Sequence, residues 1–209
     1  MGLNRVEEEL TVMLDRTGAV RQPVEDWGWH NVVWTGGPFA RAHLERMKRG
    51  KSDVLHCVVV PHPHDPAPVF GFDVIALGGK LTGLFLDWTP VTTAPYKWHP
   101  KPRVDGESRP LPEWADFFSA DVISIRPEDQ DVWAGIAALQ QYLPKLGFRA
   151  PELREQIKAG QQQYIESQRA NPKTRRLLAA ELGSDEQARA YIGRMLWPDV
   201  DDFEGEHCG

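Results

Sequence analysis

Cysteine is scarce in this 209-residue chain, which contains only two. Cys57 lies inside an apolar run and Cys208 next to the last residue, so the pair forms neither a disulfide framework nor a metal-binding motif. No apolar run is long enough to span a membrane, and the segment MGLNRVEEEL at the start lacks the apolar stretch of a signal peptide. These absences predict a cytoplasmic protein without a metal site and without membrane contact.

The chain also lacks net positive charge. Its formal net charge is −6, which argues against nucleic acid as the main partner. A hydrophobic content of 41% and a charged content of 26% are ordinary for a soluble globular protein. We therefore expect a monomer with a single domain over residues 1–209, whose acidic end from about residue 199 to residue 209 is a loose tail.

What the chain does contain is a strand-rich stretch from residue 39 to residue 73. Its pattern predicts a strand from Phe39 to about Met47, a polar turn over residues 48–53, and a second strand in VLHCVVV. A third strand begins near Val69. Residues 39–48 are also rich in helix-forming types, which leaves a helix as the alternative for the first element. The polar turn before a clear strand favours a hairpin.

Four titratable side chains fall within these strands. Side chains alternate across a strand, so His43 and Glu45 share a face, while His56 and Asp73 lie on the next two strands. A single histidine or aspartate in a strand is usually a hydrogen-bonded structural group. Four of them in one hairpin-plus-strand unit instead indicate a site that handles protons.

The rest of the chain predicts a meander of six strands with helices before and after it. This pattern indicates an α/β protein, an antiparallel sheet covered by helices on both faces. Predicted strands outside the key stretch are 27–35, 81–90 and 119–126, and predicted helices are 4–15, 128–146, 151–170, 173–182 and 185–196. Predicted connections are a loop at 17–23, a long loop at 91–112 and about one helical turn in LPEWADFF.

The chain resembles the ferredoxin-dependent bilin reductases, and most of all their phycocyanobilin:ferredoxin oxidoreductase branch. The resemblance spreads over most of residues 30–198 and implies a three-layer α/β/α sandwich with a central antiparallel sheet. The matching stretches are FARAHLERM, DVLHCVVVP, PVFGFDVIA, LFLDWTP, RPLPEWADFFS, ISIRP, GQQQYIESQ and NPKTRRLLAAELG.

The resemblance implies an enzyme of phytobilin biosynthesis that reduces biliverdin IXα by four electrons to phycocyanobilin. The reaction would run by sequential electron and proton transfers through bilin radicals. A transient reduced 2Fe-2S ferredoxin would supply the electrons, and the protein would bind no cofactor of its own. The alternatives are four-electron reduction to phycoerythrobilin and a non-catalytic bilin-binding protein on the same fold.

The resemblance also implies roles for the four titratable residues. His43, Glu45, His56 and Asp73 match the proton donors and relays of the family, with the aspartate central and Glu45 in the position of the vinyl donor. The apolar neighbours of Asp73 in VFGFDVIAL predict that burial favours its neutral, proton-donating form.

Three further positions match residues that contact the bilin propionates. Arg109 and Lys173 stand where the family grips these carboxylates, and Thr82 stands where relatives use a serine near one. Residues 91–108 are compressed relative to the family and lack its usual spacing. Docking of an acidic ferredoxin to this acidic chain needs a local basic patch. Its candidates are Lys48, Arg49, Lys51, Arg175 and Arg176.

Overall fold

One antiparallel sheet forms the centre of the protein. The computed structural model describes residues 2–93, 102–111, 115 and 118–203, and over these residues the strand order is β1-β2-β3-β4-β5-β6-β8-β7. The strands are β1 (Val20–Gln22), β2 (His30–Thr35), β3 (Arg41–Arg49), β4 (Ser52–Val60), β5 (Val69–Leu77), β6 (Lys80–Thr89), β7 (Glu107–Ser108) and β8 (Ile123–Arg126).

Helices pack on both sides of this sheet. They are α1 (Leu3–Asp15), α2 (Asp129–Tyr142), α3 (Arg154–Arg169), α4 (Pro172–Leu182) and α5 (Asp185–Tyr191). Short turns of 3-10 helix lie at Leu143–Lys145, Pro151–Leu153 and Val200–Phe203, and a π-helical turn continues α5 over Ile192–Leu196. Within the described ranges, no helix is both long and apolar enough to cross a membrane.

Two tight hairpins determine how the central strands align. Across the first, Arg49 of β3 pairs with Ser52 of β4, and across the second, Leu77 of β5 pairs with Lys80 of β6. The second turn consists of Gly78 and Gly79, whose positive φ angles of 59° and 79° suit the type I′ geometry that matches the twist of a hairpin. The predicted hairpin over residues 39–60 is therefore confirmed, and the helical alternative for residues 39–48 is wrong.

The two faces of the sheet carry different layers. On one face, Leu55, Cys57 and Val59 of β4 join the core that contains α1 and α2. On the other face, Val58 and Val60 join a second core with side chains from α3, α4 and α5. Alternate residues of one strand thus enter opposite cores, and the predicted α/β/α sandwich is confirmed. We call the second side the cleft face.

Some predicted boundaries are wrong. The predicted loop at 17–23 contains β1, and the predicted long loop contains the two-residue strand β7, so the described residues form eight strands where the sequence predicts six. Both new strands sit at the sheet edges and are held by pairing with a neighbour, a tertiary effect that local sequence does not encode. Strand β2 begins at His30, after a loop, instead of at residue 27.

The C-terminal part of the chain differs in a similar way. The expected loose tail starts with the 3-10 turn Val200–Phe203, where Val200 and Phe203 are buried in the second core. Residues 204–209 lie outside the described residues, as does most of the predicted helical turn in LPEWADFF. The break before α4 is confirmed: the Asn171 side chain accepts hydrogen bonds from the backbone N–H groups of Lys173 and Thr174, capping a helix that begins at Pro172.

Candidate active site

A row of polar side chains crosses the cleft face from β2 to β5. The strand register places Asn31 opposite Glu45, Glu45 opposite His56, and His56 opposite Asp73. Directly paired residues point to the same side of a sheet, so all four share the cleft face. Neighbouring strands lie about 4.8 Å apart, which separates Glu45 and Asp73 by roughly 10 Å along the row. We call these four residues the polar row.

The row is open at the Asp73 end and closed at the other. On β5, Phe72 and Val74 are buried against α1 and α2, whereas Asp73 and Ile75 on the cleft face are partly exposed. The Asp73 side chain is 36% exposed and the His56 side chain 13%. Glu45 as a whole residue is 8% exposed and His43 is fully buried. A ligand that enters the cleft therefore meets Asp73 first.

His56 and Asp73 form a hydrogen-bonded pair. The distance from His56 Nδ1 to Asp73 Oδ1 is 2.6 Å. Burial acts to lower the pKa of His56, but the charge and the hydrogen bond of Asp73 outweigh it and raise that pKa above its ordinary value. The other ring nitrogen, Nε2, is buried and has no hydrogen-bond partner within the described part of the chain. The pair can thus hold a proton beside the open cleft.

This pair corrects the expected setting of Asp73. The sequence predicts a carboxyl group surrounded by apolar side chains, but its immediate neighbours in sequence, Phe72 and Val74, face the opposite core. The Asp73 side chain is 36% exposed and is hydrogen-bonded to His56.

Glu45, in contrast to Asp73, is buried and is held by neutral hydrogen-bond donors. Its Oε1 accepts hydrogen bonds from Trp29 Nε1 at 2.7 Å and from the Tyr191 hydroxyl at 2.8 Å. Burial raises the pKa of Glu45 above its ordinary value, although the charge of His56 and these two donors lower it in part. A carboxyl group with a raised pKa can remain protonated nearer to neutral pH, as a proton donor requires.

His43 lies one step along β3 from the row, and its ring centroid is 6.1 Å from that of His56. Its Nε2 lies 3.0 Å from Asn31 Oδ1, an acceptor, so this nitrogen carries the proton in the neutral ring. Burial lowers the pKa of His43 well below its ordinary value, and the positive charges of Arg41 and His56 add to that effect. The two histidines therefore differ in charge: His43 is neutral where His56 is readily protonated.

Two of the three residues predicted to contact the propionates, Arg109 and Thr82, lie together at the rim of the cleft face. The exposed Arg109 donates from Nη1 to the backbone carbonyl of Thr82 at 2.7 Å. The guanidinium also lies over Gly83, which pairs with Ile75 two residues along from Asp73. Lys173 is exposed near the start of α4. Across the residues that the structure describes, no hydrogen bond or ion pair joins its side chain to Arg109 or to the polar row.

A cavity of about 440 Å³ adjoins the cleft between the end of β6 and α3. Tyr164 lines it, and the Tyr164 hydroxyl lies close to Gly71, which is two residues from Asp73 on the same face of β5. Its volume falls within the range of about 300–1,000 Å³ that is usual for small-molecule pockets. The cavity also has polar lining groups on α3 in Gln156, Gln163 and Ser167.

Two of the candidate basic residues have acidic partners in the described part of the chain. Arg49 at the β3–β4 hairpin binds Glu181 of α4 at 2.9 Å, and Arg175 binds Asp185. Lys48, Lys51 and Arg176 are exposed. The Arg49–Glu181 pair links the hairpin tip to α4, so the exposed cations lie on two elements that are in contact.

Sequence reasoning missed three members of the site. Asn31 interrupts an apolar strand, which is a detectable signal, but its value depends on the register that places it opposite Glu45. Trp29 lies in a loop and Tyr191 on α5, far along the chain, and only tertiary packing brings them to Glu45. Within the described ranges, no group of three or more histidine, cysteine, aspartate or glutamate residues could hold a metal ion.

The chain was compared with protein families and with individual proteins. The family model for ferredoxin-dependent bilin reductases matches residues 5–198. The phycocyanobilin:ferredoxin oxidoreductase of Synechococcus elongatus is 31% identical over 186 residues, which cover 80% of this chain and 74% of the relative. The enzyme of the same name from Gloeobacter violaceus is 31% identical over 184 residues, which cover 80% and 72%.

Solved structures share the fold. Tomato phytochromobilin synthase, solved in complex with biliverdin, aligns with a TM-score of 0.71 at 12% identity over 97% of this chain and 85% of its own. A protein named PcyX aligns with a TM-score of 0.68 at 21% identity over 95% and 99%. At these identities the likeness establishes the sandwich architecture alone.

Proposed function

The chain belongs to the ferredoxin-dependent bilin reductases and is an enzyme, and from this premise we propose that it reduces biliverdin IXα to phycocyanobilin within a single domain. The conversion takes up four electrons and four protons. Reduced ferredoxin supplies the electrons one at a time, and side chains of this protein supply the protons. The reaction passes through bilin radicals.

One observation carries the proposal: the polar row presents two carboxylic acids on one cleft face, about 10 Å apart, each in its own environment. Phycocyanobilin formation saturates a vinyl group on an outer ring and also reduces the opposite ring. These positions are too far apart on the tetrapyrrole for one acid to serve both. Two separate donors on one face suit two separate reductions.

Each residue then has a role. Asp73 donates at the open end, with His56 replacing its proton through the hydrogen bond between them. Glu45 donates to the vinyl group at the closed end. His43, which is neutral and held by Asn31, adds no positive charge beside the bilin and positions this end of the row.

Substrate binding uses the rim of the cleft. Arg109 offers a guanidinium beside Thr82, and it can bind a propionate through two parallel hydrogen bonds. Lys173 offers a second cation near the start of α4. The cavity beside Tyr164 extends the space available to a long, flat ligand.

The ferredoxin contact is assigned to the exposed cations at the β3–β4 hairpin and α4: Lys48, Lys51 and Arg176. With subsaturating ferredoxin, turnover should fall as salt rises from about 0.05 to 0.5 M, because salt shortens the reach of surface charges to a few Å. Unchanged turnover over this range would indicate an apolar contact in place of a charged one.

The decisive experiment is an anaerobic assay with biliverdin and reduced ferredoxin, with the product identified by chromatography and absorbance. Phycocyanobilin supports the proposal. Formation of phycoerythrobilin would show that the vinyl group is left intact. Glu45 would then not be the donor to that group. Binding without turnover would identify a bilin carrier, for which the paired acids of the row have no use.

A further inference from the structure

Tyr191 is the residue of α5 that reaches the polar row. Its hydroxyl lies 2.8 Å from Glu45 Oε1, 2.7 Å from Asn31 Oδ1 and 3.0 Å from Trp29 Nε1. Edge contacts with Trp27 and Trp29, at centroid distances of 5.1 and 4.9 Å, hold the ring in place. The hydroxyl is therefore fixed at a junction of one donor and two acceptors.

The hydrogen-bond inventory of this junction is restrictive. Trp29 Nε1 can only donate, and the Tyr191 hydroxyl has one proton for two acceptors. Asn31 Oδ1 also accepts from His43 Nε2. Because Asn31 Oδ1 already has His43 as a donor, the Tyr191 proton is directed to Glu45 Oε1, the acceptor that it shares with Trp29.

We propose that Tyr191 is a positioning residue for Glu45: together with Trp29 it occupies Oε1, so that the transferable proton is carried by Oε2. The inference rests on the donor role of Glu45 proposed above. During transfer, the Oε2–H bond breaks and a C–H bond forms at the bilin, while ferredoxin supplies the electron. The hydrogen bonds from Tyr191 and Trp29 to Oε1 strengthen as the carboxylate forms and stabilise it, and the carboxylate later regains a proton from solvent.

Few other groups act on Glu45. The titratable groups that face it in the described structure are His56 from β4, Asp73 from β5 and Tyr191 from α5. The charge of His56 lowers the pKa of Glu45 and that of Asp73 raises it, whereas the Tyr191 hydroxyl lowers it through a hydrogen bond. Removal of this hydroxyl therefore has a defined sign: the pKa of Glu45 must rise.

Infrared difference spectroscopy of the ligand-free protein measures this directly. The carboxyl C=O band of Glu45 is the band that disappears in Glu45→Gln, and its intensity reports protonation as a function of pH. In Tyr191→Phe the midpoint should rise by about one pH unit, as expected for the loss of one hydrogen bond to a charged acceptor. An unchanged or lower midpoint would overturn the assignment.

Product analysis gives an independent readout. Tyr191→Phe should slow vinyl reduction about tenfold relative to reduction of the opposite ring, because the Glu45 carboxyl becomes a weaker and less well oriented acid. Products that retain the vinyl group should accumulate. The matched control is Tyr142→Phe, which removes a buried hydroxyl bonded to the Pro68 carbonyl on the other side of the sheet. It should leave both the band midpoint and the product ratio unchanged.

Further variants separate the possible failures. If Tyr191→Phe does not fold, Trp29→Phe removes the other donor to Oε1 and should raise the midpoint in the same direction. A parent-like product from Glu45→Gln would refute the donor role of Glu45 itself. If Glu45→Gln changes the product while the folded variants of Tyr191 and Trp29 keep the parent midpoint and product, the positioning role alone is wrong.

Discussion

Glu45 and Asp73 are carboxylic acids on one face of one sheet, two strands apart, and the protein treats them differently. Glu45 is buried, and neutral donors from Trp29 and Tyr191 hold it. Asp73 borders the open cleft and is paired with His56. Burial and a histidine partner are two different ways to keep a proton available near neutral pH. Under the proposed function, each of the two donors thus has its own surroundings.

The largest effect is expected when the acid at the open end of the polar row is removed. Asp73→Asn preserves the shape and removes the acid, so biliverdin should still bind while turnover falls by about 10²- to 10⁴-fold, the usual contribution of a general acid. A bilin radical should accumulate, visible by electron paramagnetic resonance under anaerobic conditions. Asp105→Asn, at a side chain that is 65% exposed, is the control. Normal turnover by Asp73→Asn would remove Asp73 from the mechanism.

At the closed end the expected effect is on product identity. Glu45→Gln should bind biliverdin and accept electrons, yet lose vinyl reduction by about 10²-fold, because only that step uses this proton. Chromatography should show products with the vinyl group intact. The same final bilin from variant and parent would show that one donor serves both reductions, and the contrast between the two acids would disappear.

The titration of His43 and His56 compares the two environments in the absence of substrate. Nitrogen-detected NMR titration should find His43 neutral at pH 6.5 and His56 mostly protonated, since their pKa values are shifted in opposite directions. Asp73→Asn should lower the pKa of His56. The folded state holds the His56 proton more tightly than the unfolded chain does, so this proton stabilises the fold below about pH 6.5, and the stabilisation fades as pH rises through the folded-state pKa. Equal titration of both rings would contradict the assigned environments.

The smallest effects are expected at the rim. Arg109→Ala and Lys173→Ala should each weaken biliverdin binding about three- to tenfold, because exposed cations contribute modestly. Neither should change which product forms. Fluorescence quenching gives the dissociation constants, with Arg16→Ala, an exposed arginine after α1 on the opposite side of the sheet, as the control. An unchanged constant for both rim variants would place the propionates elsewhere.

Much of the fold follows from short-range patterns. The β-branched run in β4 and the glycine turn before β6 predict the central hairpins, and two-residue alternation predicts that His43 and Glu45 share a face. The edge strands β1 and β7 escape prediction because two or three residues carry no periodicity. Their existence depends on a neighbouring strand.

The site is predictable only in part, for a related reason. Alternation identifies the acids of the row but not which neighbours cover them. The apolar residues beside Asp73 in sequence face the other core, so its predicted burial is wrong in degree. Tyr191 reaches Glu45 across 146 residues of chain, and no local pattern signals such a contact. Charge counting likewise misses that Arg49 and Arg175 already have acidic partners.

The two-residue hairpin turns limit where insertions and deletions can occur in this enzyme. Because side chains alternate, a one-residue insertion or deletion that shifts the pairing of β4 would turn His56 to the opposite side of the sheet and remove it from between Glu45 and Asp73. Turns at solvent-exposed tips usually tolerate length changes well. Here the turns at Gly50–Lys51 and Gly78–Gly79 fix the register that keeps Glu45, His56 and Asp73 in one row. We therefore expect changes of loop length among functional variants to avoid these two tips and to concentrate in the longer connections.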